Sequence, residues 1–176
     1  MELRINGTKL REKIEELAKI GISPGGGVTR LALTREEWRT KQWVMNELKS
    51  LGLQVAIDKL TNIFGRRNGI RAELKPVLFG SHVDTVLNGG RFDGAYGLVA
   101  SLEVMRVLND AKVETVHPLE LACFTGEEGA RYPTLFGSSV VSGQRTLENA
   151  YSTEDQEGIS ARQALIQLKT SVVDRR

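Results

Sequence analysis

The segment Gly80-Ser81-His82-Val83-Asp84-Thr85 places an imidazole and a carboxylate two residues apart, where an apolar stretch gives way to a loop. Residues two apart on a strand share a face, so Asp84 can reach the His82 ring, fix its tautomer and raise its basicity as a metal ligand. A strand-end histidine hydrogen-bonded to a nearby carboxylate is the plainer reading of the same pair. Eleven residues after His82, Asp93 sits in the Gly-rich run Asn88-Gly89-Gly90-Arg91-Phe92-Asp93-Gly94. It can cap the helix that follows or, having two oxygens, bridge two cations about 3.5–4 Å apart. Further on, Phe124-Thr125-Gly126-Glu127-Glu128-Gly129 sets two adjacent acids after an apolar run. Such acids are ordinarily solvated surface charge. Beside a metal they divide the work, one as ligand and the other taking a proton from water.

These segments need strand ends and helix starts to hold them. Leu10, Ile14, Leu17 and Ile20 recur at helical spacing before Gly21, and Thr34 with Glu37 forms a capping box ahead of Val44, Leu48 and Leu51, closed by Gly52. Leu53, Val55 and Ile57 alternate as a strand, Thr61 to Gly65 reads as a second, Asn68-Gly69 as a turn, and Val77 to Phe79 as a short strand between Pro76 and Gly80. Leu98, Leu102 and Met105 define a third helix, and Leu119 to Phe124 reads as a buried central strand. Ser160 with Gln163 opens a last helix, followed by the charged tail Asp174-Arg175-Arg176. The order implies an α/β fold, a mixed sheet covered by helices, with the chemistry in loops at strand ends.

Composition narrows the function. The 24 basic and 22 acidic residues of this 176-residue chain are interspersed, which marks a solvated surface and one domain, not a nucleic-acid footprint. The densest basic cluster, Arg66, Arg67 and Arg71, has no interleaved aromatic residues to stack bases. The single cysteine, Cys123, lies in an apolar run, where a thiol behaves as a small hydrophobe, and fits a reducing, cytoplasmic compartment. Met1-Glu2-Leu3-Arg4 lacks the layout of a signal peptide, and no stretch approaches a membrane span. Pro24-Gly25-Gly26-Gly27-Val28-Thr29 lacks the Lys-Ser/Thr ending of a phosphate loop and reads as a turn or substrate-side loop. Nothing marks Gly137-Ser138-Ser139 as a serine nucleophile, and His117, the only other histidine, reads as structural or solvent-facing.

Four segments in order, Gly26-Gly27-Val28-Thr29-Arg30-Leu31, Gly80 to Val86, Gly89 to Gly94 and Glu127-Glu128-Gly129-Ala130-Arg131-Tyr132, resemble the motifs of the N-carbamoyl-L-amino-acid hydrolase, allantoate amidohydrolase and β-ureidopropionase family, di-zinc amidohydrolases of the co-catalytic zinc peptidase group. The resemblance implies that His82 binds one metal, Asp93 bridges two, Glu128 binds the second, Glu127 is the general base and Asp84 orients His82. It implies two Zn2+ ions, with Mn2+, Co2+ or Ni2+ as alternatives, a small ureido or carbamoyl substrate, and a zinc-aminopeptidase-like catalytic domain. It also implies two more histidine ligands and a lid domain carrying the homodimer contact beyond Arg176. The expectation is therefore that residues 1–176 form a partial catalytic domain, inactive alone. Two alternatives stand beside it: a non-catalytic fragment of the fold, and a peptidase of the same wider group.

Overall fold

The computed structural model describes residues 3–173, excepting the side chains of residues 172 and 173, so the tail Asp174-Arg175-Arg176 and the first two residues lie outside the described residues. Helix α1 (Gly7–Ala18) starts where the Asn6 side chain accepts from the Lys9 N–H, a cap that apolar spacing alone does not announce. Helix α2 (Arg35–Ser50) is capped by the Thr34 side chain. It ends in a Schellman motif: Gly52 takes φ +72°, its N–H reaches Lys49 O, and the Leu53 N–H reaches Leu48 O, while Leu48 and Leu53 enter the same apolar core.

Four strands follow: β1 (Gln54–Ile57), β2 (Ile63–Arg67), β3 (Val77–His82) and, after helix α3 (Ala95–Asp110), β4 (Leu119–Phe124). They form one sheet in the order β1-β2-β4-β3, antiparallel except for the parallel β3–β4 pair. The mixed α/β architecture is the expected one, with β4 inside the sheet. Its alternate residues Leu121 and Cys123 join Val44, Leu48, Ile63, Leu98, Leu102 and Met105 in the main core. Helix α2 packs on β1 and β2, helix α3 on β3 and β4, and α1 docks on α3 through Ile14, Leu17, Ala95 and Val99.

Two strands differ from expectation. The second begins at Ile63, because Thr61 is held at φ +67° in the turn before it. The third does not stop at Gly80 but runs on to His82, since Gly80 lies against the Ala122 carbonyl, where a Cβ would sit 1.9 Å away. That extension carries His82 to the sheet's end, beside the C-terminus of β4. Three helices complete the chain, the short α4 (Phe136–Val141) and α5 (Leu147–Ser152) and the longer α6 (Ala161–Val173), packed over Tyr132, Phe136 and Leu165 in a second core. The Ser160–Gln163 capping box forms as expected, each residue's side chain accepting the other's N–H.

Candidate metal centre

Because β3 and β4 are parallel, their C-terminal ends lie side by side, and the loops leaving them converge. The β3 loop supplies His82 and Asp84, the β4 loop supplies Glu127 and Glu128, and the turn entering α3 supplies Asp93. His82, Asp93 and Glu128 come together: one ligand atom from each lies within 4.8 Å of the others. Glu127 and His117 are outside that group.

His82 is aimed by Asp84 in a way the two-residue spacing only half anticipates. Its Nδ1 lies 3.0 Å from the Asp84 main-chain carbonyl and 3.5 Å from Asp84 Oδ1. A carbonyl can only accept, so Nδ1 carries the proton and the Nε2 lone pair is left for a ligand. The carboxylate of Asp84 is instead tied across to the other loop, accepting from the Gly126 and Glu128 N–H groups at 3.1 Å each. Burial opposes ionisation of Asp84, but His82 and the Glu128 N–H outweigh it and hold the carboxyl below its ordinary range. Burial likewise disfavours a charged His82, and Asp84 overcomes it, raising the ring's basicity. Asp84 thus joins the two loops as well as orienting the ring.

Nε2 faces Glu128 Oε1 at 3.3 Å. Two lone pairs at that distance repel unless a proton or a cation lies between them. Burial, then the nearby Asp93 charge, raise the Glu128 carboxyl, and a bound cation would relieve that repulsion. The donor set of one imidazole and two carboxylates suits zinc. The separation also fits, since ligands about 2.0–2.1 Å from a tetrahedral ion lie roughly 3.3 Å apart. Helix α3 begins at Ala95 with Gly94 at its N-cap, so the capping position itself is a glycine and Asp93 stands one residue before it.

Glu127 faces elsewhere. Its Oε1 accepts from the Gly137 and Ser138 N–H groups at 3.1 and 2.9 Å, and the Ser138 hydroxyl donates to Oε2 at 2.6 Å. The Gly-rich segment of residues 24–29 forms a turn, as expected, closed by the Ile22–Val28 bridge, and the residues after it act as a brace. Val28 bridges Gly89, and the buried Arg30 guanidinium donates to the carbonyls of Val83, Leu17 and Ile20. Arg30 ties α1 to the loop that leaves β3, a role that no local pattern announces. Cys123 is fully buried and its thiol is pushed up to about 12, so it behaves as the small hydrophobe expected of it. No helix among the described residues is long and apolar enough to cross a membrane.

The sequence profile of peptidase family M28 matches residues 62–167, which span all five candidate residues. The chain belongs to that family. It is 42% identical over 164 residues to an N-carbamoyl-L-amino acid amidohydrolase of Geobacillus stearothermophilus, covering 93% of this chain and 40% of that one. It is 36% identical over 157 residues to an allantoate amidohydrolase of Bacillus subtilis, covering 89% and 38%. A solved hydantoinase/carbamoylase family amidase from Burkholderia ambifaria superimposes with a TM-score of 0.92 at 44% identity, over 95% of this chain and 41% of that one. The chain spans about two fifths of the length of the curated relatives it matches.

Proposed function

We propose that this chain contributes part of the active site of a metal-dependent amidohydrolase that cleaves linear carbon–nitrogen bonds of carbamoyl or ureido compounds, N-carbamoyl-L-amino acids first and allantoate second. The observation that carries the reading is the meeting of His82, Asp93 and Glu128 from separate strand and helix ends. The names of the matched relatives supply the bond class.

His82, Asp93 and Glu128 hold the metal, zinc foremost. When bound, the metal polarises the substrate carbonyl and lowers the pKa of water to about 7. Asp84 keeps the proton on Nδ1 so that Nε2 always faces the centre. Glu127 is the general base: it turns off Ser138, takes a proton from water and delivers it to the leaving nitrogen. Water is thereby added across the carbon–nitrogen bond, its oxygen to carbon and its proton to nitrogen. His82 would hold one ion and Glu128 a second, with Asp93 between them, and the 3.3 Å approach of His82 Nε2 to Glu128 Oε1 supports a shared, cation-seeking centre. Three residues would be too few to complete two such centres, each of which ordinarily takes about three protein ligands, so this chain alone turns over slowly or not at all. The cytoplasm suits its unpaired thiol.

Calorimetry on the purified chain tests the reading. The wild type should bind zinc, and His82→Ala and Asp93→Ala should each weaken it by at least about 10–100-fold, the loss that even an orienting partner of a ligand brings. A wild type that takes no zinc, or variants that bind it equally well, would overturn the proposal.

A further inference from the structure

Lys41 and Glu37 lie one turn apart on α2, 0% and 1% exposed, with Lys41 Nζ 2.9 Å from Glu37 Oε1. Removing two charges from water costs about as much as their attraction returns, so a buried pair of this kind is weak evidence of stability. What it does instead is tie loops together. Lys41 Nζ also donates to Thr61 Oγ1 at 3.0 Å and to Thr125 Oγ1 at 2.6 Å. Glu37 Oε2 accepts from the Leu33 N–H at 2.7 Å, and so leaves the Thr34 N–H that a capping box would have it reach.

Two of these partners are strained. Thr61 stands at φ +67° and Leu33 at φ +58°, left-handed conformations that a β-branched or bulky residue adopts only when its surroundings hold it there. Thr125 is the hinge of the arrangement. Its N–H donates to Asn62 Oδ1 at 2.8 Å and its carbonyl accepts from the Gly137 N–H. The next residues are Gly126, Glu127 and Glu128, whose first and last N–H groups hold Asp84.

We propose that Lys41 and Glu37 are positioning residues: the buried pair fixes where the Thr125–Glu128 loop leaves β4, and thereby brings Glu128 within reach of His82 and Asp93. The part of this that concerns metal rests on the function proposed above, whereas the loop geometry does not.

The experiment compares Lys41→Met, Thr125→Val, Thr125→Ser and Leu53→Ala, the last a core variant remote from the loop that controls for lost stability. Amide hydrogen exchange is followed without metal, and zinc affinity by calorimetry. Lys41→Met and Thr125→Val should lose protection at the Gly126 and Glu128 amides at least tenfold beyond the rest of β4. Their zinc affinity should fall about 10–100-fold, the loss usual when a group that orients ligands is removed. Thr125→Ser, which keeps the hydroxyl, should behave as the wild type, and Leu53→Ala should keep both properties at comparable stability. Unchanged protection in a folded Lys41→Met, or a uniform loss like that of Leu53→Ala, would overturn the proposal. If Lys41→Met does not fold, Thr125→Val against Thr125→Ser decides by the same criteria. If the wild type takes no zinc, the function proposal falls and the exchange data alone decide this one.

Discussion

Gly94 shows how tightly single residues are drawn around the centre. It sits at φ +63°, and a Cβ there would meet the His82 ring atoms at 2.4–2.6 Å. Gly94→Ala should therefore cost more than the about 1–2 kcal/mol of an ordinary left-handed residue, because φ +63° with ψ −51° lies outside that region as well. It should also push the imidazole out of line, lowering zinc affinity by an order of magnitude or more, a combination that thermal unfolding and calorimetry would read separately. Retained affinity would mean that the ring is not held by this contact. At this scale the sequence was legible for residue identity and less so for role. The two-residue spacing put Asp84 beside His82, but only the folded loop reveals that the main-chain carbonyl holds the ring while the carboxylate spans to Gly126 and Glu128. Ser138 as the partner of Glu127, and Lys41 behind Thr125, depend on contacts across 11 and 84 residues of chain, which no local pattern encodes.

Elements were legible where a local cause forms them. Strand β4 is a six-residue run after Pro118, apolar but for Glu120, helix α2 carries its own stop at Gly52, and α6 its own start at Ser160. Helices α4 and α5 are six residues each, too short for a periodic stripe, and exist because Phe136 and Ala150 find a core to enter. The loop joining α5 to α6 is held by Asp155, whose Oδ1 accepts from the Glu157 and Ile159 N–H groups while Oδ2 accepts from Arg131 at 2.9 Å. Burial opposes the charge, but those donors prevail and lower the carboxyl below its ordinary 3.8. A depressed acid binds fewer protons folded than unfolded, so its contribution is complete above that ordinary value and fades as pH falls through the folded one. Thermal unfolding should thus show Asp155→Asn less stable than the wild type at neutral pH, with the gap closing only in acid below about pH 4. A gap independent of pH would assign the loss to packing rather than to charge.

For the whole molecule the sheet's outer edges decide the behaviour in solution. Among the described residues neither β1 nor β3 has a partner on its outer side, and the two are unequal hazards. Strand β1 has four residues and runs into Asp58 and Lys59, whereas β3 has six without a charge short of His82, and leaves Val77 53% and Leu78 47% exposed. An unpaired strand of that length with uncovered apolar side chains is a template for another chain's backbone. Leu87, Phe92 and Tyr96, also exposed, add apolar surface on the segment that follows β3. The interspersed charges elsewhere leave a net charge of +2, at the low end of the range that keeps small domains apart. The chain should therefore associate as its concentration rises, with sedimentation velocity showing species beyond monomer. Leu78→Lys, which puts a charge on the edge without touching His82, Asp93 or Glu128, should shift the distribution to monomer and leave any zinc affinity unchanged. A wild type that stays monomeric at every concentration would show that β3 is protected in solution. Association undiminished by Leu78→Lys would move the contact to the other edge or to the apolar residues beside the metal loop.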